Sequence, residues 1–161
     1  MNLAAIENVI RVVFPLTMMR GEELLPAAFK LREQQGGVEE YISVFRQFAE
    51  TFNIDLQNFD KGRNLPCCVM NVGEVENIEL TIAGHTVVYT VRAVPTATAL
   101  SHGGIFICIG GLKLEGSGTK AFETLNLGEA APFHVVAIRR RLVDIAKRRM
   151  TTAERLLTES Y

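Results

Sequence analysis

Three cysteines and three histidines are the residues of this chain that could serve together as nucleophile, base or metal ligand: Cys67, Cys68, Cys108, His85, His102 and His134. A thiol beside an imidazole can carry covalent catalysis, because the imidazole takes the proton the thiol must lose. Their spacing selects no pair. Cys-x-x-Cys and Cys/His ligand patterns are absent, so no metal and no cofactor is expected, and three cysteines in apolar runs read as the reduced thiols of a cytoplasmic protein. Ser101-His102 stands apart: it falls in a stretch, 94–104, that carries Pro95 and Gly103-Gly104 and reads as a loop, which makes the pair the candidate for a small-molecule site. No catalytic residue is assigned.

Two further patterns involve anions. Gly116-Ser-Gly-Thr-Lys120 ahead of a short helix places backbone N–H groups where a phosphate could approach, yet the order Thr-Lys reverses the Lys-Ser/Thr of a nucleotide loop. An ordinary strand-to-helix turn capped by Ser117 or Thr119 is the simpler reading. The basic residues Arg139, Arg140, Arg141, Lys147, Arg148 and Arg149 form two triplets about two helical turns apart. They could clamp phosphates of a nucleic acid, or pair with acids of a partner or of the chain itself. Charge asymmetry sharpens the point: residues 134–161 carry seven Lys/Arg and three acids, residues 1–133 carry ten and fifteen, although the net charge is only −1.

The elements that must position these groups follow from hydrophobic periodicity. Leu3, Ile6, Val9, Ile10 and Val13 predict a first helix, whose apolar face is widened by Val12 and Phe14. Glu7 and Arg11 interrupt this segment, which makes it too short and too charged for a membrane span or a signal peptide. A second helix is predicted over 22–35, stopped by Gly36-Gly37, and a third over 38–52 from the stripe Val38, Tyr41, Ile42, Phe45, Phe48, Ala49 and Phe52. Asn53, Asp55, Asn58 and Asp60 lack the glycine and bidentate glutamate of a calcium loop and read as turn and capping residues.

The sheet is predicted from 65 to 115. Residues 67–72 form a short strand, and Ile78, Leu80 and Ile82 alternate into a two-residue turn at Ala83-Gly84. The register pairs Ile82 with His85, Leu80 with Val87 and Ile78 with Tyr89 on a greasy face, leaving Thr81 and Thr86 on a wet one. Residues 104–111 are apolar on both faces, the mark of a central strand. A last, basic helix is predicted from about 132 to 149, with Val135, Ile138, Leu142 and Ile145 as its seam. Thr151-x-x-Glu154 signals a restart.

Over barely twenty residues, the segment 48–60 resembles a piece of acyl-carrier-like bacterial proteins. A carrier needs a serine to take its phosphopantetheine arm, and Gly36-Gly37-Val38 stands in that place, so the resemblance implies no prosthetic group and no site residue.

Together these readings predict a single α+β domain over 1–161. A helical half (1–60) packs on a small, mostly antiparallel sheet of four to five strands, and a long C-terminal helix (131–159) follows. The function expected is non-enzymatic: a protein-binding adaptor, chaperone or subunit of a larger assembly, partnered by another protein or by a second copy of itself in a homodimer. Nucleic-acid binding through the basic helix and a small-molecule enzyme built on the 94–104 loop are the alternatives.

Overall fold

A computed structural model describes residues 2–34 and 37–159. Its centre is one antiparallel, curled sheet of eight strands: β1 (Asn8–Val12), β2 (Ile42–Arg46), β3 (Pro66–Asn71), β4 (Leu80–Ile82), β5 (His85–Ala93), β6 (His102–Ile109), β7 (Leu112–Lys113) and β8 (Met150–Thr152). Across the sheet the order is β8-β3-β1-β2-β6-β5-β4, with β7 also on β6. Six helices accompany it among the described residues: α1 (Pro15–Met18), α2 (Phe52–Asp60), α3 (Val72–Glu76), α4 (Thr119–Thr124), α5 (Ala131–Ala146) and α6 (Ala153–Thr158).

The protein is thus α+β, but the predicted N-terminal helices on a small sheet are overturned. Residues 8–12 are a strand between β3 and β2, with Val9, Ile10 and Val12 all buried. The wide apolar face of the supposed first helix belongs to a strand covered on both sides, and its β-branched residues suit that role. Residues 42–46 are likewise a strand, because Ile42 and Val44 meet one core while Phe45 meets another. Of the described part of the predicted second helix, only a 3-10 turn, Pro26–Phe29, is helical, and two-residue ribbons at 19–20/23–24 and 33–34/37–38 flank it. Gln35 and Gly36, the end of that helix and the start of its stop, lie outside the described residues.

The hairpin forms in the predicted register. Leu80 faces Val87, Thr81 faces Thr86 and Ile82 faces His85, around a turn whose Ala83 and Gly84 take φ of 50° and 82°. Both values belong to a type I′ turn, whose twist matches that of the strands.

Alternation divides the sheet into two faces. Toward α5, the side chains of Val9, Val44, Met70, Tyr89, Ile105, Ile107 and Ile109 join Ile138, Leu142 and Phe122 in the larger core. The Tyr89 hydroxyl donates to the Ile138 carbonyl at 2.6 Å, which ties β5 to the helix. On the opposite face Ile10, Val12, Phe45 and Val69 meet Phe52 and Leu56 of α2 and Ala153 and Leu156 of α6. That second layer stops at β2.

The C-terminal segment is not one helix. α5 ends in a 3-10 turn, Lys147–Arg149, the chain then crosses as edge strand β8, and α6 starts at a cap one residue later than the motif suggests. There Thr152 Oγ1 accepts from the Arg155 N–H at 3.3 Å. No helix among the described residues is long and apolar enough to cross a membrane.

Candidate functional site

The loop of the expected 94–104 segment ends at Ser101, because His102 is already the first residue of β6, and the two candidate residues serve different partners. Ser101 is fully buried; its backbone N–H and its hydroxyl both donate to Asp55 Oδ2, at 3.0 and 2.6 Å. Thr51 Oγ1 donates to the same oxygen at 2.7 Å. Burial opposes ionisation of Asp55, but these hydrogen bonds outweigh it and hold the carboxyl below its ordinary range. Ser101 therefore pins the loop to α2. His102 places Nδ1 2.9 Å from the Val94 carbonyl, which can only accept, so Nδ1 is the donor of that hydrogen bond. No hydrogen bond joins Ser101 to His102, and a serine–histidine dyad is not assembled.

From His102 a row of larger side chains runs over the uncovered half of the sheet. The Tyr41 ring lies 5.8 Å from the His102 ring and 5.1 Å from that of Phe106, and the Arg92 guanidinium sits 5.1 Å over Phe106. Gly104 makes room for this row, since a Cβ there would come within 2.7 Å of the Tyr41 ring. Around the row, Thr86 and Arg92 are exposed, Phe106 and Cys108 are half-buried, and Val88 is 49% exposed. The face offers aromatic surface, the cations of Arg92 and Lys113, and threonine hydroxyls.

Where the loop crosses β1 and β2 there is a cavity of about 430 Å³. Thr96, Thr98 and Ala99 line it from the loop and His102 from the start of β6, and Phe14, Phe45 and Phe59 form an aromatic wall. Arg11 also lines it, and the sequence reading missed this residue. One signal was available: Arg11 is the lone charge within the apolar run 9–14. Tyr41 was assigned to a helical stripe, and Phe106 and Arg92 were passed over because no short-range pattern shows which strands lie side by side.

The six basic residues do not converge. Arg139 is half-buried in a cleft of about 650 Å³ with Lys30, Glu33 and Glu123, and burial lowers its pKa. Arg141 and Arg148 line a second hollow with Glu74, Glu79 and Asp144, and Arg149 a third with Glu50 and Glu159. Several are paired: Arg148 reaches Glu74 at 3.6 Å, and Lys147 reaches Asp144 at 3.2 Å. Arg140 is exposed. The Gly116–Lys120 turn already holds an anionic group of the chain itself, since the Ser117 N–H and hydroxyl both donate to Glu33 Oε1, at 3.2 and 2.9 Å. These bonds lower the Glu33 pKa.

Cys67 and Cys68 are fully buried, and burial pushes both thiols up to about 12, so neither is a thiolate at neutral pH. Among the described residues no group of three His, Cys, Asp or Glu side chains could hold a metal ion. No known protein family, curated protein or solved structure matches the chain.

Proposed function

We propose that the protein is a non-enzymatic interaction protein, an adaptor, chaperone or subunit of a larger assembly, and that it meets its partner on the uncovered half of the sheet. The observation that carries this reading is the row His102, Tyr41, Phe106 and Arg92, aromatic and cationic surface that none of the described helices covers. Aromatic and arginine side chains on a rigid backbone supply most of the binding energy in protein interfaces. The partner is another protein or a second copy of this chain. The basic residues support a lesser role, because they are dispersed among carboxylates of the same chain.

Purification of the tagged chain from its native source, with and without substitutions, tests the assignment. Phe106→Ser combined with Val88→Lys is expected to abolish recovery of the bound partner, whereas Arg140→Ala with Arg141→Ala retains it. The opposite pattern moves the interface to the basic helix, and recovery of nucleic acid in place of protein overturns the reading.

A second reading is favoured by the cavity beneath the 94–104 loop: a small-molecule site with His102 in its wall. A concave site there is what such a function requires.

A further inference from the structure

The ladder between β1 and β2 has two rungs, Val9 opposite Arg46 and Ile10 opposite Phe45. Beyond them a side chain does the joining. Arg11 Nη1 donates to the Ser43 carbonyl at 2.8 Å, and Nε donates to the Ala28 carbonyl at 2.9 Å. Residues 10–12 of one strand and 43–45 of the other line the 430 Å³ cavity, so the hollow opens in the break of the sheet.

Arg11 is only 9% exposed, and among the described residues no carboxylate lies within ion-pair distance of it. Burial, followed by the charge of Arg32, pushes its pKa down to about 10, so it remains a cation at neutral pH. Both of its acceptors are neutral carbonyls, and Nη2 has no acceptor among the described residues. Glu39 raises the Arg11 pKa through space without touching it, so the charge is compensated only in part and its burial stays costly. Glu39 is the single acid in the cavity wall, and the Arg32 N–H already holds its Oε1 at 2.7 Å, with Arg32 Nε at 3.8 Å.

An arginine needed only to bridge two strands would be packed by protein on every side. Here an open volume adjoins it, also lined by Phe14, Phe45 and Phe59, with the Phe59 ring 6.0 Å from that of Phe14 and 5.5 Å from that of Phe45. One guanidinium with no carboxylate in contact, sharing a cavity wall with three aromatic rings, suits a ligand with a single carboxylate and an apolar body. Inorganic phosphate would satisfy the arginine and waste the wall.

We propose that this cavity binds a monocarboxylate with an apolar body, its carboxylate on Arg11 and its body against Phe14, Phe45 and Phe59. This inference rests on the second reading above, a ligand site beneath the 94–104 loop. Titration calorimetry of the full chain with benzoate, and with benzamide as its neutral counterpart, tests it. Benzoate is expected to bind about tenfold more tightly or better, the scale of one charge-assisted hydrogen bond. Arg11→Met should erase that preference, and Thr98→Trp, at the exposed rim, should weaken both ligands. If Arg11→Met does not fold by circular dichroism, the benzoate-to-benzamide ratio and Thr98→Trp decide. Equal affinities overturn the Arg11 anchor while leaving a ligand site. Benzoate binding indifferent to Thr98→Trp puts the ligand elsewhere and overturns the proposal, and no binding of either probe at millimolar concentration overturns both the proposal and the reading beneath it.

Discussion

Ile107 and Phe106 are neighbours on β6, yet they live in different solvents. Ile107 is 2% exposed against the α5 core, whereas Phe106 stays half-buried beneath nothing larger than Tyr41 and Arg92. The difference lies in what covers each face. The sixteen-residue α5 and the 3-10 turn at 26–29 help close one side of the sheet, while α2 and α6, of nine and six residues, close the other only as far as β2. Residue alternation is the same on both faces of β5 and β6. The open face is therefore set by topology and not by any change in the rhythm of the strands, and it is where sheet chemistry remains available to a partner.

Substitutions on the two faces can break this contrast. Ile107→Ala should cost about 3 kcal/mol in urea denaturation, the usual loss for a large-to-small change in a packed core, and Phe106→Ala clearly less. Equal costs would mean that the open face is covered in solution, as in a homodimer. Asp55→Asn should cost about 2 kcal/mol, because Ser101 and Thr51 donate to a charged acceptor there.

The same residue fixes a pH dependence. The folded-state pKa of Asp55 is depressed, so its contribution is present above the unfolded value of about 4 and is lost as pH falls through the lower folded value. Denaturation at pH 7 and below pH 4 should show a gap that Asp55→Asn narrows. Tyr89→Phe deletes the hydroxyl that ties β5 to α5 and should cost about 1 kcal/mol. Val88→Thr, on the open face, should change stability by less than about 0.5 kcal/mol; a larger loss measured by thermal melting would reveal packing on that face.

What could be read from sequence was the part governed by near neighbours. The Leu80 to Val87 register needed only alternation and Ala83-Gly84, and the seam Val135, Ile138, Leu142, Ile145 needed only helical spacing; all four of those residues are buried in α5. The N-terminal half misled because its strands are apolar on both faces. Val9, Ile10, Val13 and Ile42, Phe45 match a helical spacing as well as a buried strand, and length alone did not separate the two. At the candidate site His102 was visible beside glycines that suggest a loop, although it opens strand β6. Its neighbours were not, since Arg11 and Phe45 come from strands 91 and 57 positions away in the chain, and pairing at such distance leaves no local trace.

The place of β1 in the sheet has a consequence for how the chain acquires its shape. Ile10 waits for Phe45 on one edge and for Val69 on the other, so β1 emerges from the ribosome before either of its edges can be satisfied. Sheets closed by such distant pairings fold slowly, and an exposed Val-Ile-x-Val-Val segment is the kind that pairs with copies of itself meanwhile. Arg11 sits in the middle of that segment. A charge so placed makes illegitimate pairing of such a strand costly until the rightful neighbours arrive.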